Sequence, residues 1–304
     1  MRKLLYILIV ALSSWLMTAC KKEAKLTPTT APENVHSEHD LPQGNHPYDA
    51  DIQQLFDRYH TLFLYKYVRH DLYYAVTEDL GGTYDSASDK TIKAGYFDVP
   101  ADQAYVGKQL DLLKELWLHY YPDSLLKGGL PQKVYLVDSF YFAYPGPGKP
   151  TDNWPEMHDV FSGGDYMLTA WGGARIESIT PEEKYSMKGQ LNSIFLGFAH
   201  TLGTVRPTAA FKVVTDYSAL KWNNTYAVGV IEYNWYGSNG PDFDWDSFVK
   251  TIVSNSYTVL TSPGGVLDPS VDVNGLIRKK YDIVIAYFMS NYGVDLQAIG
   301  NAGS

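Results

Sequence analysis

Cysteine is nearly absent from this sequence: Cys20 stands alone among 304 residues. The chain can therefore form no internal disulfide and offers no thiolate cluster for a metal or a thiol protease. Basic residues are also scarce, 25 Lys and Arg against 34 Asp and Glu. The resulting formal charge of −9 has the wrong sign for a nucleic-acid partner. No G-x-S-x-G elbow and no phosphate-binding glycine loop occurs, which removes the α/β-hydrolase and P-loop signatures. Long apolar runs are missing except for Leu4 to Leu16, which is too short to span a bilayer comfortably.

That run follows Arg2 and Lys3 and leads through Met17-Thr18-Ala19 to Cys20, the pattern of a bacterial lipoprotein signal over residues 1–19. Cleavage before Cys20 would leave an acylated N-terminus, and several acyl chains at about 0.8 kcal/mol per buried CH₂ hold a protein on a membrane. Losing Arg2 and Lys3 takes the formal charge from −9 to −11. Residues 20–49 are rich in Pro, Thr, Glu and Asn without apolar periodicity and read as a disordered tether carrying His36, His39 and His46. A domain over residues 50–304 follows. With 45% hydrophobic composition it can bury a substantial core.

Within the domain, Ile52, Leu55, Phe56, Tyr59, Leu62 and Phe63 recur at helical spacing. A second helix is predicted over Ala101 to Tyr120 and a third from Pro181 to Leu202. The third begins with Thr180 as N-cap, Pro181 at the first helical position and Glu183 closing a capping box. Its core stripe is read as Met187, Leu191, Phe195, Phe198 and Leu202, with Leu196 and His200 on a neighbouring stripe. Lys133 to Tyr144 and Tyr166 to Trp171 are β-branched and aromatic and read as strands of a small sheet. Asp242, Asp244 and Asp246 alternate as a calcium loop begins, but no glycine or closing glutamate follows, so they read as a solvated turn and helix N-terminus. Asp138, Glu156 and Asp159 form a nominal carboxylate set for glycoside chemistry, with no spacing that singles it out.

The stretch SIFLGFAHTLG, with Phe198-Ala199-His200, then Asp216-Tyr217 and Trp222, resembles the substrate-import-associated zinc metallohydrolase lipoproteins of Bacteroidota. The segment Gly275 to Ile299, ending in Gly293-Val294-Asp295-Leu296, is similar to that family's last helix and tail. The resemblance covers most of residues 50–300. It implies an α+β fold, a mostly helical zincin-like metallopeptidase domain with a small β-sheet, and zinc held by a helical H-E-x-x-H. Two imidazoles four residues apart share a helix face, and the glutamate beside the first takes a proton from metal-bound water.

Here Leu196 and Gly197 stand where that motif has histidine and glutamate, Gly203 replaces a further histidine, and Lys250 replaces an acidic residue. Only His200 survives as a metal ligand. Removing the base alone costs about 10² to 10⁴ in rate. Two readings follow. One is a catalytically degenerate accessory protein, without catalytic residues or a required cofactor, anchored at the outer membrane through Cys20. It would bind a peptide or glycan beside a TonB-dependent importer, through loop aromatics Tyr141, Tyr144, Trp154, Trp235 and Tyr236. The other is an active zinc metallopeptidase in which His200 joins His60, His70, His119, His158 or a carboxylate in a rearranged site. A cleft beside the third helix is expected, and in the first reading Gly197 and Gly203 leave room in it for an extended ligand near His200.

Overall fold

The strand stretch Lys133–Ala143 forms the axis of the molecule in the computed structural model, which describes residues 40–73 and 81–303. Cys20, the signal segment, His36 and His39 lie outside the described residues. In chain order the elements are α1 (Pro47–Tyr59), β1 (Leu62–Leu64), α2 (Arg69–Tyr73), β2 (Thr83–Asp85), β3 (Lys90–Lys93), β4 (Gly95–Pro100), α3 (Val106–Leu116) and α4 (Asp123–Gly129). Then come β5 (Lys133–Ala143), β6 (Gly146–Pro147), β7 (Glu156–Met157), β8 (Val160–Ser162) and β9 (Tyr166–Thr169). The remainder is helical: α5 (Pro181–Thr201), α6 (Ala209–Lys212), α7 (Pro241–Ser254), α8 (Tyr257–Thr261), α9 (Leu276–Tyr292) and α10 (Leu296–Asn301).

Strand β5 does two jobs along its length. Its first half lies between β1 and β9, parallel to both, with Phe63 opposite Val134 and Tyr135 opposite Leu168. Val134, Tyr135, Leu136 and Val137 are fully buried, as a parallel strand covered on both faces requires. The second half pairs antiparallel with β4 and β7, and β8 closes the far edge antiparallel to β9. Strands β2, β3 and β6 form a separate three-stranded sheet. The architecture is thus α+β, with helices packed on a small mixed sheet.

The capping box at the start of α5 forms as the sequence implies: Glu183 N–H donates to Thr180 Oγ1 at 3.2 Å, and Thr180 N–H donates to Glu183 Oε2 at 2.8 Å. The buried face of α5 differs from the expected stripe. Met187, Leu191 and Phe195 are buried, but so are Leu196 and Ala199, while Leu202 is exposed. The reason is that α5 is packed on two sides, by α7 on one and by α3 and α4 on the other, so more than one stripe is apolar. Helix α7 approaches closely enough that a Cβ on Gly189 would lie 2.9 Å from Ser254 Oγ.

Other boundaries also shift. The first helix ends at Tyr59, where His60 adopts a left-handed φ of 57°, and Leu62 and Phe63 enter β1 instead of continuing the helix. The helix expected from Ala101 to Tyr120 is α3 followed by a short 3-10 turn over Leu118–Tyr120. The stretch assigned to the tether docks on the domain over its last ten residues. His46 is the N-cap of α1, its N–H donates to Asp49 Oδ2 at 2.7 Å, and its ring stacks on Tyr48. The Gln43 amide likewise donates to the Lys66 carbonyl. Among the described residues, no helix is long and apolar enough to cross a membrane.

Candidate functional site

His200 sits in the last turn of α5, and Asp242 and Asp246 lie one turn apart at the start of α7. Because residues four apart share a helix face, both carboxylates reach the same imidazole. Nδ1 lies 2.7 Å from Asp246 Oδ1 and Nε2 lies 3.4 Å from Asp242 Oδ1. The ring is mostly buried, its side chain 14% exposed, whereas Asp242 and Asp246 are 71% and 45% exposed. The hydrogen bond to Asp246 raises the imidazole above its ordinary value, against the opposing pull of burial. Helix ends reinforce this, since a cation suits the C-terminus of α5 and anions suit the N-terminus of α7. Both ring nitrogens thus face carboxylates, an arrangement that favours the charged form of the ring.

In its charged form the ring presents no lone pair to a metal. Nor does the rest of the motif assemble. Leu196, the position one turn before His200, is 1% exposed and part of the hydrophobic core. A side chain at Gly197 would project into open space, with nothing within 4 Å of its Cβ. Gly203, expected to leave room, does not: it ends α5 at φ +80°, and a Cβ there would lie 2.6 Å from the Arg206 guanidinium. Among the described residues no group of three or more His, Asp or Glu is placed to hold a metal ion. The donor set at His200 does not fit zinc as it stands.

Among the described side chains, His60, His119 and His158 do not join His200. His60 caps α1 beside Phe56, His119 Nδ1 pairs with the Lys114 carbonyl, and His158 sits among Tyr96, Phe140 and Phe161. Burial lowers the His158 imidazole. His70 lies in α2. Asp138 and Asp159 flank Arg175 at 4.0 and 3.9 Å, and Asp159 accepts Trp171 Nε1–H at 2.7 Å. The Arg175 guanidinium stacks 4.0 Å from the Trp171 ring, whose residue holds a left-handed φ of 76°. Glu156 is elsewhere, accepting from Tyr144 Oη. These carboxylates are tied to a cation and an indole, not left as an acid–base pair.

One expectation fails outright at Asp244. It is not solvated but 1% exposed, ion-paired with the fully buried Lys280 of α9 and accepting Tyr217 Oη–H at 2.7 Å. Burial raises Asp244 and lowers Lys280, while each partner's charge opposes the shift. Alternation of acids at a helix start carries no trace of a lysine 36 residues away.

The aromatic candidates separate by exposure. Tyr141 is a correction: it lies in β5, 7% exposed, with its ring stacked on Phe97. Tyr144 is 46% exposed, Trp154 86%, Trp235 67% and Tyr236 fully exposed. Trp222 and Tyr233, passed over as binding residues, join them. The Trp222 and Trp235 ring centroids are 6.2 Å apart, and Tyr233 meets Trp235 edge-on at 5.0 Å. Trp222 is 63% exposed between Lys221 and two asparagines, the same polar flanking that singles out Trp235. Open clefts do occur beside α5, but three of about 550–570 Å³ share Tyr185 in its N-terminal half, away from His200.

Neither a protein-family model nor a curated protein sequence matches this chain. Among solved structures, a "putative zinc-binding metallo-peptidase" from Bacteroides caccae is similar at 13% identity, covering 90% of this chain and 92% of that one. Its TM-score is 0.49, too low to assign this chain a fold family or an activity.

Proposed function

We propose that this chain is a lipid-anchored accessory protein on a zincin-like frame whose catalytic machinery has been lost. In this reading it belongs with the substrate-import-associated zinc metallohydrolase lipoproteins that its α5 segment resembles. It is held at the outer membrane through Cys20, beside a TonB-dependent importer, and binds a nutrient-derived ligand through exposed aromatic loops. The observation that carries the loss of catalysis is His200: both ring nitrogens face carboxylates of α7, and Leu196 is sealed in the core where a second imidazole would be needed. The exposed rings on the 213–240 segment support the binding role.

The test is elemental analysis of the protein, purified without a metal-affinity tag, beside a His200→Ala variant and a peptide-cleavage assay. The expected result is zinc well below one per chain in both proteins and no chelator-sensitive cleavage. Near-stoichiometric zinc that falls in the variant, with cleavage abolished by chelator, would establish instead a metallopeptidase with a rearranged site.

A further inference from the structure

Between α6 and α7 the chain runs through residues 213–240 with no strand and only two short 3-10 turns, Tyr217–Ala219 and Tyr226–Val228. Irregular segments of that length inside a folded domain are usually functional or disordered. This one is pinned. Thr215 Oγ1 donates to the Val228 carbonyl at 2.6 Å, Asn274 Nδ2 to the Ala227 carbonyl at 2.8 Å, and Tyr217 reaches the buried Asp244. Asn224 and Asn239 spend their side chains on the segment's own backbone. Asn224 accepts from Lys221 N–H and donates to the Ala219 carbonyl, and Asn239 bonds both N–H and C=O of Asn234. What the ordered segment turns outward is aromatic: Trp222, Trp235 and Tyr236, with Tyr233 bracing Trp235.

We infer that Trp222 and Trp235, the latter braced by Tyr233, form a preorganised stacking platform for a neutral polysaccharide, a site that rests on the binding role above and names its ligand class. Four properties select that ligand. First, aromatic faces carry negative charge density, which complements the weakly positive C–H face of a pyranose ring. Second, the chain carries a formal charge of −9, and the charges beside the platform are mixed, with Lys221 next to Trp222 and Glu232 paired with Lys250 at 3.4 Å, so nothing there concentrates positive charge for an anionic polymer. Third, the segment has no strand edge for β-augmentation, and the Asn224 and Asn239 side-chain amides already serve its own backbone, which leaves fewer groups to read a peptide main chain. Fourth, the rings are held before any ligand arrives, so less ordering entropy is lost on binding.

The experiment is native affinity electrophoresis of the detergent-solubilised full chain through gels containing, in turn, a β-glucan, an α-glucan, a mannan and a xylan. Polygalacturonate gels and competition with a proline-rich peptide complete the set. The expected result is retardation by at least one neutral polysaccharide. Trp222→Ala and Trp235→Ala should each weaken it about tenfold, while Trp235→Phe keeps most of it. Because both indoles are exposed, the alanine variants should melt within about 2 °C of the parent, which separates lost stacking from lost folding. No retardation by any of the four, retardation untouched by the alanine variants, or interaction confined to polygalacturonate or the peptide would each overturn the inference. Zinc content measured on the same preparation keeps the two ideas apart. A zinc-free protein that ignores all four polysaccharides sinks the platform alone, whereas a zinc-dependent peptidase that is retarded sinks only the loss of catalysis.

Discussion

At the scale of single residues, His200 shows how neighbouring charges set the chemistry of an imidazole. The ring is flanked by two carboxylates, and the Asp246 hydrogen bond favours its charged form. The folded-state pKa is raised above the ordinary 6.5, so the stabilisation is fully present below that value and is lost as pH rises through the raised one. A His200→Gln variant cannot take up the proton. The gap in unfolding free energy between parent and variant should therefore be about 1 kcal/mol near pH ~5.5, limited by the exposure of both aspartates, and should shrink by pH ~8.5. Urea unfolding at several pH values measures it. A gap independent of pH would mean that the two aspartates leave the folded-state imidazole at its unfolded pKa.

At the scale of elements, α7 is the joint of the helical half. It packs along α5 through the Gly189–Ser254 approach, holds His200 at its start, and is tied to α9 by the Asp244–Lys280 pair. The Lys280 ammonium also lies over the Phe211 and Tyr217 rings, so the pair is enclosed by aromatics, and Asp244 Oδ1 finds no hydrogen-bond partner among the described residues. Removing one member of such a pair strands the other charge in a low-dielectric site. Lys280→Met should cost about 3–5 kcal/mol in denaturant unfolding, and Lys280→Met combined with Asp244→Leu should recover most of it. A single-variant loss under ~1 kcal/mol would mean that water reaches the pair. Helix α10 is anchored differently: Lys188 of α5 donates to the carbonyls of Ile299 and Ala302 at 2.6 Å each, capping its C-terminus. Burial pulls that ammonium down to about 8.

At the scale of the whole molecule, the proposal requires a chain that is tethered rather than embedded. Among the described residues no helix is long and apolar enough to cross a bilayer, and the proposed attachment is through Cys20, outside them. Replacing Cys20 with serine should remove the acylation site and move the protein from the membrane pellet to the soluble fraction after cell lysis. A variant that still sediments with membranes, and resists salt washing, would place the anchor elsewhere. The docking of residues 40–49 shortens the free tether expected before the domain, leaving the approach to α1 fixed by Gln43, His46 and Asp49.

Much of the local structure was legible in the sequence. Thr180, Pro181 and Glu183 mark the start of α5, and the β-branched and aromatic run from Lys133 marks the central strand, because capping and side-chain periodicity act within a turn or a few residues. Only the tertiary structure decided the rest. It buried Leu196 because α5 is flanked on two sides, turned Asp244 from a surface acid into half of a buried pair with Lys280, and placed both ring nitrogens of His200 against α7. It also sorted the aromatics, hiding Tyr141 against Phe97 and bringing Trp222 beside Trp235. Burial and pairing depend on which distant elements share a face, and no local pattern of residues encodes that.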